Sequence, residues 1–271
     1  MDVNVTAGTT VGELVDLWLE KLRARGRLEN TTINEYDRVL RKLVVPELGT
    51  VRLNELTTDR IGVVLANLGT RSVNRQRKAK VVMGAMLDVA VGSGALASNP
   101  VRGSIRVSRP KTQARTLTLS DLETVRSAAR AWVTKERPGP KANGDMADII
   151  DLMLGTGARI GEVLALRWSD VDLEAKRVEI SATVKTATGM GTYRKPLASS
   201  RIVELPEFAV VVLRRRQPGS HGDYIDAVFP TRNGTWQQVN NVERRWRQIR
   251  KDAGLEWVTP QAFRQNVVRE A

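Results

Sequence analysis

Cysteine is absent from this chain of 271 residues. Its absence excludes thiol nucleophiles, iron–sulfur clusters, disulfides and the usual structural zinc sites. Histidine is almost as scarce, with His221 the sole example. Neither a histidine-rich metal site nor an ordinary Ser-His-Asp triad is therefore expected. Residues 1–10 lack the charged-then-apolar pattern of a signal peptide. No apolar run approaches the roughly 18 residues of a membrane span. A soluble, cytoplasmic protein is the expectation. Acidic residues are in deficit, 30 against 43 basic ones, and the formal charge is +13. Such a surplus favours a polyanionic partner. Nucleic acid comes first and an anionic membrane surface second, while a basic but unspecialised protein shares the same composition. No basic amphipathic helix with an aromatic apolar face supports the membrane alternative.

What is present suits two domains of ordinary size. Val11, Leu14, Val15, Trp18 and Leu22 repeat at helical spacing, and Thr10 with Glu13 forms a capping box before them. A second helix is expected from Thr32, with Glu35 three residues on, to about Val44. Pro46 and Gly49 should then break the chain. Further helices are expected over 59–68 and about 72–91, ended by Gly92, Gly94 and Pro100. Residues 1–101 thus read as an all-helical domain. Residues 102–116, RGSIRVSRPKTQART, have no periodicity, five basic residues and no acidic one. They read as an extended basic linker or as an ordinary solvated loop. Ser120 and Glu123 predict the capping box that opens a second domain, 117–271. Val178, Ile180, Ala182 and Val184 alternate with polar residues as a strand does. Lys185–Arg194 reads as the hairpin turn and Arg201–Leu205 as the returning strand. The expected fold is mainly α with a small antiparallel sheet.

The stretch LGTGARIGEVLALRWSDVDL, 154–173, is the densest in chemistry. A glycine-flanked turn delivers Arg159 to the start of a helix, with Glu162 one turn on. There an always-charged, planar donor suits a phosphodiester. Taken alone, the same two residues also describe an exposed ion pair worth about 0–1 kcal/mol.

This stretch resembles the first-arginine box of the tyrosine recombinase (phage integrase) family. VTPQAFRQNVV resembles the family's second box, which places Arg264 as the second arginine and Gln261 where the family usually has histidine. YRKPLASSRIVELP resembles the catalytic-lysine hairpin, in which a Ser-x-Arg and a Leu-Pro strand end follow the lysine. Lys195 is the best match, Lys185 the alternative, and a solvated turn lysine fits Lys195 as well. NTTINEYDRVLRKLVVPELGTVRLNEL and LDVAVGSGALASNPV resemble the helical, SAM-like core-binding domain of phage integrases. The resemblance covers nearly the whole chain and implies that domain plus an α+β tyrosine-recombinase catalytic domain.

It implies a chemistry as well. A tyrosine hydroxyl attacks the scissile phosphate of duplex DNA and leaves a 3′-phosphotyrosyl link and a free 5′-hydroxyl. Two arginines, Arg159 and Arg264, would fork onto the non-bridging oxygens. Glu162 would support Arg159, and lysine would protonate the departing 5′-oxygen. Gln261 can still donate a hydrogen bond but cannot shuttle a proton near neutral pH. No metal, ATP or other cofactor is implied. The implied partners are attachment-type double-stranded DNA, further copies of the chain (a tetramer in a synapse for complete members) and an accessory DNA-bending or excision factor. Candidate DNA contacts are Arg71, Arg75, Arg77, Lys78 and Lys80, with Arg106, Arg109 and Lys111 in the linker.

Besides Gln261 in place of histidine, the sequence departs from the family pattern in its tyrosines. The nucleophilic tyrosine follows the second box in the family, whereas Tyr36, Tyr193 and Tyr224 all precede Arg264. The expectation is a shortened family member without its nucleophile and without an N-terminal arm-binding domain. A catalytically inactive, DNA-binding integrase remnant is the alternative function.

Overall fold

The computed structural model describes residues 5–107, 115–135, 144–187, 189, 191–217 and 225–264. Two compact units divide the chain, Met1–Thr112 and Gln113–Ala271. The first is built from α1 (Val11–Arg25), α2 (Asn30–Leu43), α3 (Val45–Leu48), α4 (Thr58–Arg71) and α5 (Val73–Gly92). The capping box of α1 forms as expected: Glu13 N–H donates to Thr10 Oγ1 at 3.3 Å, and Thr10 N–H donates to Glu13 Oε2 at 2.8 Å. The apolar stripe it launches buries Leu14, Val15, Trp18 and Leu19 against Ile33, Leu40, Ile61, Leu65, Met83 and Met86. Tyr36 stacks on Trp18 with ring centroids 5.6 Å apart.

Two expectations for this unit are corrected. Helix α2 starts at Asn30, with Glu29 in the cap position, rather than at Thr32. Glu35 does not cap it, because Arg38 and Lys78 take that carboxylate at 2.7 and 2.6 Å. Pro46 does not break the chain but lies in the first turn of α3, where its missing N–H costs nothing. The first residues of the expected linker are held to this unit. Lys80 donates to the carbonyls of Ser104 and Ile105 at 3.5 and 2.7 Å, and Arg102 pairs with Asp88 at 2.9 Å.

The second unit contains α6 (Leu119–Thr134), α7 (Asp145–Thr156), α8 (Ile160–Val163), a three-stranded antiparallel sheet, α9 (Glu207–Arg216) and α10 (Val239–Asp252). Helix α6 opens two residues before the expected position: Thr118 and Asp121, not Ser120 and Glu123, form the reciprocal box. The sheet runs β1 (Val171–Asp172), β2 (Arg177–Ala187), β3 (Gly191–Glu204), in that order. The hairpin is longer than its alternation suggested. Ala187 pairs with Gly191, and Lys185–Ala187 and Gly191–Arg194 are strand rather than turn. One face of β2 buries Val178, Ile180, Ala182 and Val184 beneath Leu152, Val163, Leu213 and Phe229.

A polar feature lies inside this unit. Asp145, Asp148 and Asp151 repeat every three residues along α7 and are all buried. Arg216 bridges Asp145 and Asp148 at 2.8 Å each, Arg215 also reaches Asp148, and Arg126 takes Asp151 at 2.6 Å. Gln237 Nε2 donates to the other oxygen of Asp145 at 2.8 Å. The row therefore ties α7 to α6, α9 and the segment before α10. Buried carboxylates persist because they are paired in this way.

Candidate active site

The site begins where α7 ends. Gly157 takes a left-handed φ of 61°, and its N–H donates to Met153 O at 3.0 Å. Glycine reaches that conformation without the clash a Cβ would bring. Thr156 Oγ1 then accepts from Ala158 N–H at 3.2 Å. The turn buries Ala158 and leaves Arg159 extended at the cap position of α8. Arg159 N–H donates to Glu162 Oε2 at 3.0 Å, and its Nη1 donates to Oε1 at 2.9 Å. Glu162 is 2% exposed, whereas the Arg159 side chain is 61% exposed. The pair is thus not a solvated ion pair: the carboxylate is inside and the guanidinium faces out.

A second arginine completes the arrangement. Arg201, on β3, donates from Nη2 to Glu162 Oε2 at 2.6 Å. Burial alone would push the Glu162 carboxyl up. The Arg201 hydrogen bond, then those from the Arg159 backbone and side chain, outweigh it and hold the carboxyl below its ordinary value. In the sequence Arg201 is marked only as the start of a strand. Its Ser-x-Arg setting was visible, but its partner lies 39 residues away.

Two further ties join the Arg159 box to the hairpin. Arg194 is nearly buried and donates from Nε to Ala165 O at 3.0 Å, and from Nη2 to Asp170 Oδ2 at 3.0 Å and Ser181 Oγ at 2.8 Å. Gly161 abuts β2, where a Cβ on it would fall 2.6 Å from Thr183 Oγ1. Thr183 is the register partner of Lys195. Lys195, half-buried, therefore stands on the rung beside α8. Lys185 is in register with Tyr193, nearer the turn. A bulge shortens the distance between Lys195 and Arg201. Six residues separate them on β3, but their partners Thr183 and Ile180 are three apart. At about 3.3 Å per residue the two positions lie roughly 10 Å apart along the sheet instead of roughly 20 Å.

Arg264 lies in a helical stretch that begins at Pro260 and is half-buried, while Gln261 is exposed. The stretch is seated by Phe263, fully buried and edge-on to Trp246 at 5.3 Å. The carbonyl of Val258, just before it, accepts from Trp246 Nε1 and Arg250 Nη1 at 3.1 Å each.

The expected DNA contacts of the first unit are not alike. Arg71 closes α4, and Arg75 and Arg77 are exposed on α5. Lys78 is engaged by Glu35, and Lys80 by the 104 and 105 carbonyls. Arg106 is exposed; Arg109, Lys111, Tyr224 and His221 lie outside the described residues. Among the described residues, no helix is long and apolar enough to cross a membrane.

Comparison with known proteins identifies related sequences and folds. Residues 141–270 match the Phage integrase family, and residues 10–62 match the Phage integrase, N-terminal SAM-like domain. The "Tyrosine recombinase XerC-like" protein of Caldanaerobacter subterraneus subsp. tengcongensis is 22% identical over 91% of this chain and 68% of its own length. "Tyrosine recombinase XerC" of Xanthomonas campestris pv. campestris is 31% identical over 40% of this chain and 29% of its own. The Tn1549 transposon integrase, solved in complex with transposon right end DNA, superposes with a TM-score of 0.78 at 18% identity, covering 97% of this chain and 86% of that one. A lambda integrase dimer bound to a COC′ core site gives 0.70 at 18% identity, covering 96% and 69%.

Proposed function

The chain belongs to the phage integrase family of tyrosine recombinases, and from that premise we propose that it binds duplex DNA and grips one phosphodiester with Arg159, Lys195 and Arg264. The observation that carries this reading is the exposed Arg159 guanidinium held by the buried Glu162 carboxylate. A rigid forked donor aimed outward at the start of α8 suits the non-bridging oxygens of a phosphoryl group, whose negative charge grows in the transition state. Lys195 is preferred to Lys185 as the proton donor to the departing 5′-oxygen, because its rung touches α8. Arg264 adds the second fork, and Gln261 a neutral hydrogen bond. All of them must reach one phosphate together to act.

None of the three tyrosines is assigned as the nucleophile. Tyr36 is stacked on Trp18 in the first unit and Tyr193 is part of the hairpin ladder; Tyr224 precedes the second box. These three side chains therefore supply no 3′-phosphotyrosyl link. As in solved relatives, whose lambda member forms a tetramer on a Holliday junction, several copies would share one DNA assembly.

The test is binding and cleavage on one nicked duplex substrate carrying an attachment sequence. Affinity should fall by orders of magnitude between about 50 and 200 mM salt, as bound counterions are released, with no covalent adduct on a denaturing gel. A salt-independent affinity would overturn the DNA reading. An adduct at Tyr36, Tyr193 or Tyr224 would overturn the nucleophile assignment alone.

A further inference from the structure

Arg201 is not among the residues proposed above to touch phosphate, yet it makes the shortest contact in the site, 2.6 Å to Glu162 Oε2. We propose that Arg201 is a positioning residue that keeps Arg159 available to a phosphate by occupying the carboxylate that would otherwise capture the whole Arg159 fork. The inference rests on reading Arg159 as a phosphate ligand.

Two arginines share one buried carboxylate. Glu162 offers two oxygens with about four lone-pair sites, and water cannot satisfy them because the side chain is 2% exposed. Arg159 fills part of this capacity through its backbone N–H and Nη1. Arg201 fills the second site on Oε2. Arg159 thus commits a single guanidinium nitrogen, and its Nε and Nη2 have no protein partner among the described residues. Those two nitrogens form one edge of the fork, the edge a phosphate accepts in bidentate geometry. Without Arg201, Oε2 would retain only the Arg159 backbone N–H. An under-satisfied buried acceptor is costly, and a charged one more so. The nearest donor able to relieve it is the free edge of Arg159, turned inward to a fork-to-fork pair with Glu162. Arg159 would then be satisfied and unavailable.

Position supports the same division of labour. Arg201 is opposite Ile180, which is wholly buried, so it leaves the strand on the core-facing side of the sheet and reaches Glu162 there, with its own side chain 40% exposed. Arg159 meets it from the loop. The two guanidiniums and one carboxylate leave a net charge of +1 at the mouth of the site, as an oxyanion requires.

The test follows the Arg159 Nε–H resonance in the arginine-15N-labelled chain during titration with inorganic phosphate. In the unaltered chain this resonance should shift saturably. Arg201→Gln should raise the midpoint about tenfold or more, the loss expected for one charge-assisted contact. Arg201→Lys should stay near the unaltered midpoint, because an ammonium can still occupy Oε2. Glu162→Gln/Arg201→Gln should recover the response, since a neutral amide makes a weaker claim on the fork. A merely structural Arg201 would make that double variant worse than the single one. Should Arg201→Gln fail to fold, Glu162→Gln with and without Arg201→Gln decides the question: equal midpoints support the proposal and a weaker double variant overturns it. An unchanged midpoint in folded Arg201→Gln also overturns it. If Arg159 ignores phosphate in the unaltered chain, the phosphate reading of the site fails first, and this proposal with it.

Discussion

Gly161 lies so close to Thr183 that any side chain on it would collide, with a Cβ reaching 2.6 Å from Thr183 Oγ1. Threonine is branched at Cβ, so of the two other rotamers one brings its methyl to the same place, and branching restricts access to the other. Gly161→Ala should therefore lift α8 off β2 and cost about 1–3 kcal/mol, the usual range for overpacking. Adding Thr183→Ala should restore part of the loss. Denaturant unfolding of the two single variants and the double variant checks this, and strict additivity would contradict direct contact.

The aspartate row on α7 gives a larger effect. Arg216→Ala removes partners from both Asp145 and Asp148, which are 2% and 4% exposed. Weakening the pairing of these buried carboxylates should cost up to about 3–5 kcal/mol, reduced by what Arg215 still gives Asp148 and Gln237 still gives Asp145. Arg102→Ala, which breaks only the exposed pair with Asp88, should cost about 1 kcal/mol or less. Equal midpoints for the two variants in urea would show that the row contributes no stability.

Acid should loosen the site before it unfolds the rest. The folded Glu162 carboxyl titrates below its ordinary value. Its stabilisation is therefore complete above the unfolded carboxylate value of about 4.3 and disappears as pH falls through the lower folded one. Melting temperatures of the unaltered chain and Glu162→Gln should differ most above about pH 5 and converge in stronger acid. A gap that widens on acidification would reverse the sign and refute the assignment.

The basic run at the start of α5 should divide by partner. Arg75→Ala and Arg77→Ala, exposed in the free protein, should each reduce the salt slope of duplex binding by about one unit per lost phosphate contact. Lys78→Ala should change it less, because Glu35 already holds that ammonium. Lys80→Ala should chiefly loosen residues 104–105, read as faster amide exchange there. Identical slopes for all four variants would count against the division.

Much of this was legible in the sequence where a short pattern settles the outcome. The Thr10–Glu13 box, the stripe of α1 and the alternation of β2 each depend on neighbours within a few residues. Ser120–Glu123 misled because Thr118–Asp121 has the same spacing two residues earlier. The choice between them falls to packing, which buries Leu117, Val125 and Ala129. Arg159 and Glu162 were legible because their contact spans three residues. Arg201 was not, since its value lies in a distant carboxylate. Arg194 was hidden similarly: its partners Ala165 and Asp170 sit in the Arg159 box, where Asp170 reads as one more motif letter. The α7 aspartates carry no local sign of the arginines that meet them from α6 and α9.

The bulge in β3 gives the hairpin a reserve of length. Below it, Arg201–Glu204 keep their rungs with Ile180–Arg177; above it, Gly191–Pro196 keep theirs with Ala187–Ala182. Residues 197–200 between them are opposed by Ser181 alone. A residue gained or lost there changes slack, not register, so Lys195 and Arg201 hold their places independently. An insertion or deletion within 197–200 would thus leave Lys195 and Arg201 in position, and an alignment forced to be gapless across 197–200 would misplace one of them.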